Sequence, residues 1–378
     1  MKKCRATRVG LWVFLAGFAG ASISFGAQDP GMILGSPSES SNLVTFTLST
    51  KPGVSYTIQA SSNLVDWVAV GTNADPCITR TITISNRPDG PSYYRAARGP
   101  LPLPRGGLVA KGNIAFSGGA YLDSFDSSDT NYSNPDGSYN HDKAKDNAMA
   151  LTDMNATGAI SLNGGYIASA VITGPGGTVT LSGGAAVGDI AWITSSNTGI
   201  EPGHSRNSAN VQINDVAAPS FGAFSISLPS GTVGGTNYTY VATNGNYMVP
   251  SLGISGGKSM VVNGNAVIYC TSTANCVSVS GSGFIYITPG SSLTLYMAGS
   301  STISGGGVVN GNLRADTFYI YGLPTCTAMT YSGSATLYAV VDVPEAILTF
   351  AGGQGWCGAG TANSFSISGS SGVHYDER

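Results

Sequence analysis

The sequence predicts an all-β protein, a β-solenoid preceded by a small β-sandwich module. Two features of composition and one of pattern lead there. Charged residues make up only 10% of the 378 residues, while 42% are hydrophobic. That charge is far below the roughly 25% of an ordinary domain, and the apolar content is too high for a disordered chain. Glycine supplies 53 residues, and Val, Ile and Tyr enrich the segments between them, a combination suited to strands and tight turns. The pattern is a Ser-Gly phrase that returns as "GISGGKSMVVNGN", "SVSGSGFIYI", "TISGGGVVNGN" and "TYSGSATLYAVV". From Ser255 to Ser280, Ser304 and Ser332 the steps are 25, 24 and 28 residues, the length of one solenoid coil. The apolar residue before each Ser faces inward, the Gly pair turns a corner, and the next strand resumes. Earlier copies at Ser117, Asn163 and Ser182 are spaced irregularly, by 46 and 19. A β-sandwich of many short strands is the alternative the same text allows.

Taken in order, residues 1–27 read as a signal peptide. Lys2, Lys3, Arg5 and Arg8 precede the apolar "GLWVFLAGFAGASISFGA" with its small-residue exit. The run is broken by Gly and Ser and falls short of about 20 strongly apolar residues, so a membrane anchor is the weaker reading and no later span is expected. Residues 42–98 alternate at strand period through "LVTFTLST", "SYTIQASS" and "TRTITIS", with Tyr56, Trp67, Tyr93 and Tyr94 as the expected aromatic core. Residues 99–107 form a Pro/Gly linker, and 108–378 the solenoid.

Two resemblances attach to these segments. "YTIQASSNLVDWVAVGT" with the closing "YYRAA" resembles a short fibronectin- or immunoglobulin-like module of exported bacterial proteins, which implies an accessory domain with no catalytic residues. Within 108–378, "YLDSFDS" near the start and "HYDE" at the end resemble an uncharacterised bacterial envelope domain known from proteins associated with pilus assembly. That likeness implies a right-handed β-helix-like solenoid and a cell-surface or pilus-linked role. Its motif residues here include His374, Tyr375, Asp376 and Glu377. Family members usually continue with an apolar residue where Arg378 stands.

Loss of the signal would leave 13 basic residues against 20 acidic ones, a formal charge of −7. No basic stripe remains to follow a phosphate backbone, which argues against nucleic acid as a partner. In an oxidising compartment Cys270 with Cys276, and Cys326 with Cys357, are the expected disulfides, with Cys77 left over.

The densest polar stretch, 121–153, holds seven aspartates. Asp123, Asp126, Asp129, Asn131 and Asp136 offer oxygen ligands of the kind calcium takes, but at no diagnostic spacing. A solvated loop of Asx turns is the plainer reading, and no cofactor is otherwise expected. "HYDE" places an imidazole beside two carboxylates; a hydrogen-bonded cap on the last coil competes with acid–base chemistry there. His204 sits near Glu201 and Ser205 without a G-x-S-x-G elbow. Asp189, Asp215, Asp316, Asp342 and Glu345 do not recur at matching places in the repeat, as a carbohydrate-active site on a β-helix would need. The expectation is therefore an exported, non-catalytic structural or adhesive protein meeting surface proteins or glycans. A polysaccharide lyase or hydrolase, or a glycan-binding protein, is the second reading.

Overall fold

The computed structural model describes seven strands between Ile33 and Arg98, and residues 106–378 except 208, 210, 212, 352, 353 and 371. The signal peptide, most of the linker, Trp67, Cys77 and every module side chain lie outside the described residues. Two compact units are present, residues 1–103 with 208–212, and 104–207 with 213–378.

The first unit is built from two antiparallel sheets. Leu43–Ser49 pairs with Thr79–Ser85, Ile33–Leu34 and Ser38–Ser40. Tyr56–Ser61 lies between Val68–Asn73 and Tyr93–Arg98. This matches the period-two alternation of those segments.

The second unit is a parallel β-solenoid whose rungs each visit three faces in a fixed order. On the first face Gly245–Val249, Asn265–Cys270, Ser292–Met297 and Phe318–Gly322 stack in parallel register. Leu252–Ile254, Asn275–Val279, Ser300–Ile303 and Ala328–Tyr331 stack on the second. Tyr240–Ala242, Ser259–Val262, Phe284–Ile287 and Gly307–Asn310 stack on the third. The long strands Leu337–Phe350 and Trp356–Ser368 bend around corners and continue the same stacks.

The order of rungs in space is not the order in the chain. Strands Gly107–Ala110, Ile114–Ser117 and Tyr121–Phe125, which open the solenoid in sequence, pair with 360–362, 365–368 and 372–376 at its end. From that seam the early rungs continue outward through 149–168 and 171–188 to Ser205–Arg206. The chain then returns to the far end of the stack and winds back from Tyr240 to the seam. The spiral thus runs without a break from 240 to 376 and onward from 107 to 206.

Burial follows the same path. Ile254, Val279, Ile303, Tyr331, Phe350, Ile367, Phe116 and Leu162 form one inward row of register partners on the second face. Each is at most 2% exposed. The row crosses the seam unchanged, and each such side chain contributes about 1.5–3 kcal/mol of burial. Most of them are the apolar residue before the Ser of the recurring phrase. Behind them Gly256, Gly281 and Gly305 turn the corner to the third face at φ of 62°, 61° and 61°. A Cβ on Gly305 would lie 2.1 Å from the Gly281 carbonyl oxygen, so positive φ and rung stacking both demand glycine there.

The irregular early spacing has a local cause. Residues 126–148 leave the rung between Phe125 and Met149 as a loop carrying a short 3-10 turn, His141–Lys143. This loop folds over the outside of the third face.

Candidate functional site

The seam brings the two motif segments together. Tyr121–Phe125 and Gly372–Asp376 are parallel neighbours with Asp123 opposite His374. His374 is also register partner of Cys357, and Cys357 of Tyr338. Alternation along each strand therefore sets Tyr338, Cys357, His374 and Asp123 in one outward row. The 126–148 loop covers it, leaving Asp123 0% and His374 3% exposed.

The imidazole Nδ1 of His374 donates to Asp123 Oδ1 at 2.6 Å, the direction a carboxylate requires. Tyr139, from the covering loop, donates its hydroxyl to Asp123 Oδ2 at 2.6 Å and stacks on His374 with ring centroids 3.5 Å apart. With its proton committed, the Tyr139 oxygen accepts from His141 Nδ1 at 3.2 Å. Tyr166, one rung on, reaches Asp123 Oδ2 at 3.5 Å and stacks on Tyr121 at 4.9 Å. Burial, then the Asp123 charge, pushes the Tyr139, Tyr166 and Tyr121 hydroxyls up. The Cys357 thiol is pushed well above its ordinary range by burial, then by Asp123 and Asp376.

A Cys, a His and an Asp in one row have the composition of a nucleophilic triad, yet the environment opposes that chemistry. A thiol nucleophile needs thiolate character and access. Cys357 is buried with a raised pKa, and the Tyr139 ring stacks directly on His374. What the row does is hold the first and last rungs together.

The rest of "HYDE" serves the same contact. Ser127 N–H donates to Asp376 Oδ1 at 3.0 Å, and the Ser124 hydroxyl donates to Glu377 Oε1 at 2.7 Å. Asn147 Nδ2 donates to the same oxygen at 2.9 Å, and Lys145 pairs with Glu377 Oε2. Tyr375 packs partly buried against the main core. The expected edge cap is thus corrected: this strand is paired on both sides, by 121–125 and by 356–357.

The calcium ligands suggested by sequence do not converge. Asp126 Oδ1 accepts from the Ser128 N–H and hydroxyl, Asp129 Oδ1 from Asn131 N–H and Nδ2, and Asp136 Oδ1 from the Ser138 N–H and hydroxyl. These are separate Asx turns. The Ser128 and Ser138 hydroxyls hold Asp126 and Asp136 below the usual carboxylate range. Asp123 is turned away to His374.

The disulfide expectation is corrected too. Cys270, Cys276, Cys326 and Cys357 are all buried free thiols. Cys326 packs in the main core, whereas Cys357 lies outside the third face with Phe125 and Tyr338, so the two cannot meet. Cys270 and Cys276 are neighbours, but the Cys276 thiol donates to the Cys270 carbonyl at 2.9 Å. The bond to Cys276, then burial, pushes the Cys270 thiol up.

A second feature lies outside the first face. Tyr269, Tyr296 and Tyr321 are successive register partners, and the next partner is Asp342. Tyr296 and Tyr321 stack at 5.0 Å, and Tyr319 flanks Tyr321 at 6.1 Å. All four tyrosines are part-exposed. Burial pushes Asp342 up to about 6, against the pull of Lys111. Lys111 itself pairs with Glu345 and lies 3.5 Å from Asp215. Of the scattered carboxylates, Asp215, Asp342 and Glu345 therefore gather around Lys111. Asp316 is held by Arg314 at 2.5 Å. The row is legible in hindsight, because its tyrosines recur at the solenoid period.

Among known proteins, a family described as a domain of unknown function (DUF7305) matches residues 194–378, which end on the "HYDE" strand. No curated protein and no solved structure matches the chain. The chain from residue 194 onward is thus similar to an uncharacterised domain.

Proposed function

We propose that the protein is an exported structural and adhesive component of the cell surface, whose solenoid displays the Tyr269–Tyr296–Tyr321 row to glycans. The observation that carries this reading is that row. Three part-exposed aromatic rings stand on adjacent strands, about 4.8 Å apart in the stacking direction, a platform for the apolar faces of sugar rings with hydroxyls at its rim. Export rests on the basic and apolar N-terminus, and a pilus-linked or envelope setting rests on the family resemblance of "YLDSFDS" and "HYDE". The buried His-Asp-Cys row supports the non-catalytic part, because its groups are engaged in holding the seam.

Affinity electrophoresis of the full chain through gels containing bacterial surface polysaccharides tests the adhesive reading. Retardation should occur with at least one polymer and be lost in a Tyr269→Ala, Tyr296→Ala, Tyr321→Ala variant. Equal retardation of both proteins, or of neither, would sink it.

A second reading has its own observation. Asp342, raised to about 6 at the end of the tyrosine row, has the acidity of a general acid at neutral pH, with Lys111 and Glu345 beside it. Release of new reducing or unsaturated ends from a retained polysaccharide, abolished in Asp342→Asn, would replace the non-catalytic reading with an enzymatic one.

A further inference from the structure

We propose that Asp189, Glu201 and His204 bind one divalent transition cation of the zinc class at the outer end of the early rungs. The three come from two neighbouring segments of chain. Asp189 follows strand Ala186–Gly188 and precedes the short helix Ile190–Thr194. Glu201 follows Gly199–Ile200, which pairs with that strand as Ala186 with Gly199 and Val187 with Ile200. His204 closes the turn that Glu201 opens, its N–H donating to the Glu201 carbonyl at 3.1 Å. One ligand atom from each residue falls within 4.8 Å of the other two.

The imidazole is set for coordination. Its Nδ1 lies 2.7 Å from the Ser169 carbonyl oxygen, which can only accept, so the proton is on Nδ1. Nε2 is then the ring atom nearest both carboxylates, and a hydrogen bond at the other nitrogen is what orients a metal-binding His. Ser169 is a non-glycine residue at φ 140°, and its own N–H is tied to the Gly188 carbonyl at 3.0 Å. The carbonyl that orients His204 is thus itself anchored to the strand that delivers Asp189.

The distances also suit a metal cradle. His204 Nε2 is 3.5 Å from Asp189 Oδ1 and 3.5 Å from Glu201 Oε2. A charge-assisted hydrogen bond closes to about 2.7–2.9 Å. Ligand atoms about 2.1 Å from a tetrahedral centre stand about 3.4 Å from each other. Both separations lie close to the second value.

The surroundings keep the carboxylates in place for this. Asp189 occupies the N-cap position, yet its side chain makes no capping bond and faces His204 instead. The Asp189 N–H donates to Glu201 Oε2 at 2.8 Å, which orients the second carboxylate. A Cβ on residue 188 would lie 2.5 Å from that oxygen, so Gly188 leaves the room Glu201 occupies. One imidazole with two carboxylates suits zinc or manganese better than calcium, which prefers six to eight oxygens. Three protein ligands leave the fourth tetrahedral position to water, consistent with the exposed side of Asp189.

Calorimetric titration of the chelator-treated full chain with Zn2+ tests the assignment. One equivalent should bind saturably, unaffected by equimolar Ca2+, and raise the melting temperature. Asp189→Asn and His204→Ala should each weaken binding at least tenfold. Asp189 is surface-exposed, so its Asn variant retains the fold and reports on the site even if His204→Ala does not. The assignment is overturned if no saturable binding occurs, or if Asp189→Asn binds zinc as the parent does.

Discussion

Asp123 and His374 stand 251 positions apart in the chain and are register partners on adjacent strands, joined by a 2.6 Å hydrogen bond inside the protein. Their contact marks where the last rung of the solenoid meets the first. Around it the two motif segments exchange backbone pairing along five residues, and Asp376 and Glu377 bond to Ser127 and Ser124. A motif split between the two ends of a domain has a simple physical reason here: its halves form one structural joint.

Removing either partner should be costly. His374→Ala leaves buried Asp123 with Tyr139 as its close remaining donor, and stranding a buried hydrogen-bonding group in this way costs about 1–3 kcal/mol. Asp123→Asn keeps the shape but loses the charged acceptor, at about 1–3 kcal/mol. Denaturant titrations of the parent, both single variants and the double variant should give a coupling of about 0.5–3 kcal/mol. Two additive, sub-kilocalorie losses would show that the pair does not hold the seam.

The return connection should be dispensable once the solenoid has formed. Residues 213–226 are largely exposed and hold no regular strand, and the two halves of the solenoid meet along all three faces at the seam. A specific protease site replacing Ala217–Ala218 should be cleavable in the folded protein. The two fragments should then co-elute in native gel filtration and separate only in denaturant. Fragments that part under native conditions would contradict the seam as a continuous core.

Asp342 gives stability a pH dependence whose sign follows from burial. Its folded pKa, about 6, lies above the ordinary Asp value of 3.8, so the native state holds the proton more tightly than the unfolded chain does. Burial therefore imposes no penalty below about pH 4. The penalty grows as pH rises to about 6 and is complete above it, at about 2–3 kcal/mol for a shift of this size. Asp342→Asn cannot ionise and should escape it. Denaturant midpoints of parent and variant should nearly agree at pH 4, with the variant ahead at pH 7.5. A constant difference across that range would place the titration elsewhere.

The fold was legible where one residue type repeats for one reason. The Ser-Gly phrase recurs because Gly256, Gly281 and Gly305 stack on one corner, and the apolar residue before each Ser because the inward row is continuous. The early rungs obscured the period because the 126–148 loop and the helix Ile190–Thr194 are inserted into them. The permuted rung order was not legible, since strand period carries no information about which rung is whose neighbour. The candidate site was half legible. Asp123 and His374 stand out in sequence as members of separate motifs, but their meeting, and the covering Tyr139, depend on long-range register. The aspartates of the loop were read for their ligand type, while adjacent Ser and Asn residues had already satisfied them as turns.

The corner glycines supply the sharpest test of the stacking itself. Gly305 has φ 61°, and a Cβ there would stand 2.1 Å from the Gly281 carbonyl oxygen of the preceding rung. Gly305→Ala must therefore both strain the backbone and push two rungs apart, effects of about 1–2 kcal/mol and 1–3 kcal/mol. Gly257, two residues after the equivalent Ser two rungs back, is exposed and has open space where its Cβ would be. Gly257→Ala should change stability by less than about 0.5 kcal/mol, as a surface substitution does. Thermal melts of the two variants side by side decide the matter. A large loss at 305 with none at 257 ties the repeated phrase to rung stacking, whereas equal effects would mean that glycine is present there for chain flexibility alone.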